Sequence, residues 1–235
     1  MSSDCVAALD AVDVSVVGHP ALAGVSFCLR AGTLVVIGGP RGSGKSTFLR
    51  LLWGAVRPAR GTVSAGGIDL TASTSGRLAA WRRQIGILSA DFPLALDWTA
   101  LDNLLAALNM QGPRVARNAA DRAAHALGRW GLLPKRHTIV ARLTDTERAR
   151  LALARAFVRA PVAAFLDEPL SAVPEDEHAA VMGEIRLATR LGTAVLVTTC
   201  DRTRWSSVAD EFLLLENGRL QGAPSIPAAQ MESPA

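Results

Sequence analysis

The 235-residue chain contains no tyrosine, only 5% aromatic residues, and lysine at two positions alone, Lys45 and Lys135. Its arginines are scattered and its net charge is a mild +4. Such a sequence offers neither an aromatic stacking platform nor a basic stripe, so nucleic acid is not an expected partner. The three cysteines, Cys5, Cys28 and Cys200, are odd in number and widely spaced, a pattern that argues against a disulfide framework or a zinc site. No apolar run approaches the roughly 18–20 residues needed to cross a bilayer. The first residues carry Asp4, Asp10 and Asp13 in place of a basic leader, and the expected location is the cytoplasm. No internal repeat is present. With 49% hydrophobic and 20% charged residues, the chain can bury one sizeable core and carry an inserted lobe.

The most informative stretch is Gly38-Gly39-Pro40-Arg41-Gly42-Ser43-Gly44-Lys45-Ser46-Thr47, directly after the apolar run Thr33-Leu34-Val35-Val36-Ile37 and before the helical pattern Phe48-Leu49-Arg50-Leu51-Leu52. Gly39, Gly44, Lys45 and Ser46 match the P-loop pattern in the strand-then-helix context it requires. Glycines at 39, 42 and 44 let the backbone curl so that its N–H groups, with the start of the next helix, cradle an anion. Lys45, one of the two lysines, then reaches the β- and γ-phosphates, and the Ser46 hydroxyl ligates Mg²⁺. Residues 39–47 are thus expected to bind ATP.

Strand-like runs at 12–17, 25–29, 34–37, 85–88, 162–166, 194–198 and 211–215 alternate with helical patterns, which predicts an α/β fold with a mainly parallel sheet. From about residue 89 to 151 only helical spacing remains, as in Leu101, Leu104, Leu105 and Leu108, and then Ala123, Leu127 and Trp130; this predicts a helical subdomain inserted into the sheet. Asn217-Gly218 predicts a closing hairpin. A single domain is expected over residues 1–222, and the proline-bearing stretch 223–235 is expected to be a disordered tail.

A second nucleotide signal is Ala163-Ala164-Phe165-Leu166-Asp167-Glu168, an apolar strand ending in two acids. In a P-loop protein this strand is expected beside the P-loop strand, with Asp167 holding Mg²⁺ and Glu168 polarising the attacking water. A buried strand with two acids at its exposed end is also a common arrangement without chemistry.

On these motifs the chain resembles the ATP-binding cassette (ABC) nucleotide-binding domains from about residue 12 to 221. The segments Leu22-Ala23-Gly24-Val25-Ser26-Phe27, Arg82-Arg83-Gln84-Ile85-Gly86 and Asp97-Trp98-Thr99-Ala100-Leu101-Asp102-Asn103-Leu104 make it most similar to the cell-division branch of that family, with lipoprotein-release and export cassettes as the alternative. The resemblance implies a P-loop NTPase fold with a flanking antiparallel β part, ATP and Mg²⁺ as cofactors, and an FtsX-like integral membrane subunit as partner. It also implies a peripheral position on the inner face of the plasma membrane, and a working homodimer or heterodimer with another ABC domain.

Several positions depart from the family pattern. The signature L-S-G-G-E is Leu143-Thr144-Asp145-Thr146-Glu147, in which side chains replace the two glycines that admit the γ-phosphate of the facing subunit. Asp145 adds repulsion of about 4 kcal/mol per charge pair at close range for an effective dielectric near 20. Thr144 and Glu147 also form a T-x-x-E capping box, an ordinary start for the helix expected at 147–160. Ala90 stands where a glutamine touches Mg²⁺, Cys200 where a histidine contacts the γ-phosphate, and Pro174 where the D-loop carries aspartate. No aromatic lies near Val16–His19 to stack adenine, a loss of about 1–3 kcal/mol by analogy with base stacking in nucleic-acid binders. Removing one preorganised donor to transition-state charge costs about 2.7–4 kcal/mol, and several are replaced here. Mg-ATP binding with weak or partner-dependent hydrolysis is the expected activity. A non-hydrolysing, nucleotide-gated scaffold is the other reading.

Overall fold

The computed structural model describes residues 5–16, 19–110 and 118–222. The expected tail at 223–235 and part of the adenine-facing segment lie outside these. The run Leu34–Gly38 forms β3, buried along its whole length. It lies in a six-stranded sheet whose order is β10-β9-β3-β8-β7-β6. The other members are β6 (Ile85–Leu88), β7 (Ala163–Asp167), β8 (Ala194–Thr199), β9 (Glu211–Glu216) and β10 (Arg219–Gln221). All pairings are parallel except β9 with β10. That pair turns at Asn217-Gly218, where φ is positive at both residues, as the sequence predicts. A second, antiparallel sheet has the order β2-β1-β4-β5, from β1 (Cys5–Val16), β2 (His19–Arg30), β4 (Arg60–Ala65) and β5 (Ile68–Asp69).

Strand alternation divides the core. Val35, Ile37, Phe165, Leu196 and Leu213 pack into one apolar cluster with α1 (Lys45–Leu52), α2 (Ser75–Arg82) and the antiparallel sheet. Leu34, Val36, Ala164, Leu166, Val195 and Val197 point to the other face, into a cluster with the helices that follow. These are α3 (Ala100–Asn109), α4 (Ala119–Arg129), α5 (Asp145–Phe157) and α6 (His178–Arg190). Because both faces of the sheet are covered, its strands read as continuous apolar runs. Of the positions expected from helical spacing, Leu104 and Leu108 of α3 and Ala123 and Leu127 of α4 are buried, Leu101 and Leu105 are partly buried, and Trp130 stacks on Phe157 with centroids 6.3 Å apart.

Two expectations are corrected. Cys5 and Cys28 form a disulfide between β1 and β2, with Cα atoms 5.8 Å apart; the odd count concealed it because the third cysteine, Cys200, is free and sequence spacing does not reveal cross-strand neighbours. In addition, β7 does not lie beside β3, because β8 pairs with both and separates them.

Candidate functional site

Beyond β3 the chain closes on itself tightly. Gly39 donates its N–H to Thr199 O at 3.2 Å, and a Cβ there would lie 2.3 Å from Leu215 O. Gly44 has φ 104° as the residue preceding α1, and a Cβ there would lie 2.5 Å from Ala21 O. Only glycine fits such approaches. No side chain caps α1 and no acid occupies its first turn, so its leading N–H groups are left for an anion. Lys45 is buried as a residue, and its ammonium donates to Gly39 O at 2.7 Å and Pro40 O at 2.8 Å and lies 3.6 Å from Cys200 Sγ.

Although β8 intervenes, the two halves of the site meet. Ser46 Oγ donates to Asp167 Oδ2 at 2.7 Å, and Thr198 Oγ1 of β8 donates to Asp167 Oδ1 at 2.7 Å. Thr198, fully buried, thus fills the gap between the strands. It is a site residue missed by sequence reasoning, and its signal is a hydroxyl at the end of an otherwise apolar strand. Glu168 follows with φ 49°, a conformation that costs a non-glycine residue roughly 1–3 kcal/mol and gathers at functional sites. Its backbone is held by Glu168 N–H to Thr198 O at 2.9 Å. The Cys200 thiol is pushed above its ordinary range, first by its hydrogen bond to Glu168 and next by burial, with Lys45 opposing.

Arg41, Lys45, Asp167, Glu168 and Cys200, together with Ala90 and Asp145, line an open cavity of about 1460 Å³. The residues suit a magnesium-bound nucleotide. Ser43 Oγ is buried in the cradle with no partner among the described residues, and Ser46 with Asp167 supplies the hydroxyl and carboxylate oxygens that Mg²⁺ prefers. Around Asp145, which also lines the cavity, the arrangement is different. Thr144 Oγ1 accepts from Glu147 N–H at 3.1 Å and Glu147 Oε2 accepts from Thr144 N–H at 2.9 Å, the reciprocal cap expected from the sequence, so α5 begins at Asp145. Asp145 itself pairs with Arg148.

The family model for the ABC transporter ATP-binding region matches residues 22–171. This chain belongs to the ABC transporter ATP-binding family. The cassette is 32% identical over 205 residues to the cell division ATP-binding protein FtsE of Escherichia coli, covering 87% of this chain and 92% of that protein. To FtsE of Haemophilus influenzae it is 31% identical over 203 residues, covering 86% and 93% respectively. It is also 32% identical over 216 residues to the Fe(3+) ions import ATP-binding protein FbpC of Rhizobium etli, covering 92% of this chain and 59% of that protein. Among solved structures, the dimeric cassette MJ0796 in a post-hydrolysis state bound to ADP and Pi superposes with a TM-score of 0.83 at 24% identity, covering 94% of this chain and all of that one. The cassette therefore has the P-loop NTPase fold expected from its sequence. Among the described residues no helix is long and apolar enough to cross a membrane.

Proposed function

We propose that this cassette is the ATP-binding subunit of an FtsE-like cell-division complex, binding Mg-ATP and coupling it to an FtsX-like integral membrane subunit at the membrane's inner face. The observation that carries the nucleotide half is the direct Ser46–Asp167 hydrogen bond, which joins the P-loop to the acidic end of β7. In this reading residues 39–47 hold the phosphates, with Lys45 as their charge, while Ser46 and Asp167 hold Mg²⁺. Held by Ser46 and Asp167, Mg²⁺ would neutralise phosphate charge. Glu168 orients the attacking water when the remaining parts of the site are supplied from outside the chain. Similarity to two FtsE proteins over nearly their whole length supports the cell-division assignment over an import role like that of FbpC.

The partner-docking face in this reading is the junction of the sheet with the helical segment proposed at 89–151. Phe92, Leu96 and Trp98 are exposed there. The segment 96–98 is tied to 139–141 by Val140 N–H to Trp98 O and Ala141 N–H to Leu96 O, both 2.9 Å. An apolar helix end of a membrane subunit fits such a face.

A specific observation favours a second reading, a nucleotide-gated scaffold. The signature position is an ordinary capped helix start bearing the Asp145 carboxylate, so a homodimer holds no complete hydrolytic site, whereas a heterodimer with an intact cassette brings one to the ATP bound here. Phosphate release by the complex with its membrane subunit separates the readings. The proposed FtsE-like subunit turns over ATP in that complex, and Glu168→Gln removes the turnover while leaving ATP binding in place. Turnover undiminished by Glu168→Gln contradicts the role given to Glu168, and no turnover with or without the partner leaves the scaffold. Co-purification of an importer-type permease in place of an FtsX-like subunit contradicts the cell-division assignment.

A further inference from the structure

Strand β8 is apolar until near its end. Ala194, Val195, Leu196 and Val197 are fully buried, and so is Thr198, which carries a hydroxyl into the same interior. Burying a hydroxyl costs free energy unless a hydrogen bond replaces the lost water, so packing alone favours valine, which has nearly the same shape. The strand register fixes where the hydroxyl is aimed. Thr198 lies between Ile37 of β3 and Asp167 of β7, and residues paired laterally in a sheet project to the same face. Ile37 belongs to the cluster covered by α1, the helix whose first turn holds Ser46.

Two acceptors lie near Thr198 Oγ1. Leu166 O is 3.5 Å away and Asp167 Oδ1 only 2.7 Å, and only the second lies in the ordinary O–H···O range. The single hydroxyl proton therefore goes to the carboxylate. The other oxygen of that carboxylate, Oδ2, accepts from Ser46 Oγ at 2.7 Å, so Asp167 is held by donors from two different elements. The backbone of Thr198 serves the second acid, because its carbonyl accepts from Glu168 N–H at 2.9 Å. The hydroxyl is not needed to join the strands, since β7 and β8 are already paired from Ala163 with Ala194 to Asp167 with Thr198. What the hydroxyl adds is the orientation of one carboxylate. The terminal torsion of an aspartate is broad and roughly two-fold, and a donor on Oδ1 leaves Oδ2 as the oxygen that shares a side with the Ser46 hydroxyl. Mg²⁺ demands near-ideal octahedral placement of its oxygens, and hydrogen bonds behind a ligating carboxylate supply such placement.

We propose that Thr198 is a positioning residue for the divalent cation. Its hydroxyl holds Asp167 with Oδ2 turned toward Ser46, and its carbonyl seats Glu168 beside that pair. Thr198 acts through Asp167, not by contact with the ion. This inference rests on the Mg-ATP reading above.

Two measurements on the full chain test it. Calorimetry in EDTA gives the metal-free ATP affinity, and loss of the free-ion EPR signal, with the chain in saturating excess over ATP, gives the affinity for Mn²⁺. Thr198→Val removes the hydroxyl and keeps the shape, whereas Thr198→Ser keeps the hydroxyl and removes a methyl group. Thr198→Val is expected to weaken Mn²⁺ binding by about 10–100-fold, the usual cost of losing a partner behind a metal ligand, with metal-free ATP affinity within about twofold. Thr198→Ser is expected to stay within about threefold of the unsubstituted chain in both measurements, a rescue that a packing role does not give. Thermal melts report folding, and if Thr198→Val does not fold, Thr198→Ala against Thr198→Ser reads the hydroxyl in the same enlarged space. Unweakened Mn²⁺ binding in the variants without the hydroxyl overturns the inference, as does a loss in Thr198→Ser equal to theirs or an equal fall in metal-free ATP affinity. If the unsubstituted chain binds no ATP, the Mg-ATP reading falls first and this inference with it, a result distinct from ATP binding whose Mn²⁺ affinity ignores Thr198.

Discussion

The Lys45 ammonium is drawn onto the carbonyls of Gly39 and Pro40. Lys45→Ala removes a charge-assisted contact worth about 1.5–3 kcal/mol, so calorimetry is expected to show ATP affinity falling at least about tenfold; unchanged affinity contradicts its role. Cys200 lends itself to a chemical test. Its thiol is held above the ordinary range by Glu168 and by burial, so the neutral form prevails at pH 7 and reactivity is postponed to more alkaline solution. Alkylation of Cys200 is expected to be slower at neutral pH than that of a free thiol and to rise only above about pH 8.5, the ordinary thiol value. Rapid labelling at pH 7 contradicts the assigned environment. At this scale the sequence was legible where chemistry demands a residue type at fixed spacing, as at Gly39, Gly44, Lys45 and Ser46. It was silent on Thr198, whose place at the site arises from the meeting of β8 with β7, distant in the chain.

Among elements, β3 and α1 were readable because a buried parallel strand is continuously apolar and glycines mark its exit. β4 was not, since Arg60–Ala65 buries only Val63 and Ala65 and opens with arginine and glycine. The cap of α5 was anticipated from Thr144 and Glu147, although the helix begins earlier than expected, at Asp145, and ends at Phe157. α5 also approaches β6 backbone to backbone. A Cβ at Gly86 of β6 would lie 2.1 Å from Ala156 O. Gly86→Ala therefore forces the helix away from the strand. Overpacking of this kind costs about 1–3 kcal/mol, and denaturant unfolding should register that loss. A change within about 0.5 kcal/mol, the range of ordinary surface substitutions, contradicts the close approach.

For the whole molecule, alternation along each strand divides the interior into two apolar clusters and leaves the nucleotide cavity at the strand ends. Strand order was the part least legible, because local pattern does not state which strand intervenes; hence β8 between β3 and β7. The same architecture separates the features kept from those replaced. The wall formed by Lys45, Ser46, Asp167 and Glu168 is assembled, while Ala90, Asp145 and Cys200 replace the groups that the resemblance expects around the γ-phosphate. A calorimetric titration of Mg-ATP into the purified cassette reads both halves at once, because binding gives a saturable heat and turnover a continuing one. Saturable binding with almost no sustained heat is expected in the absence of the membrane partner. Absence of binding, or vigorous sustained turnover by the cassette alone, would contradict it.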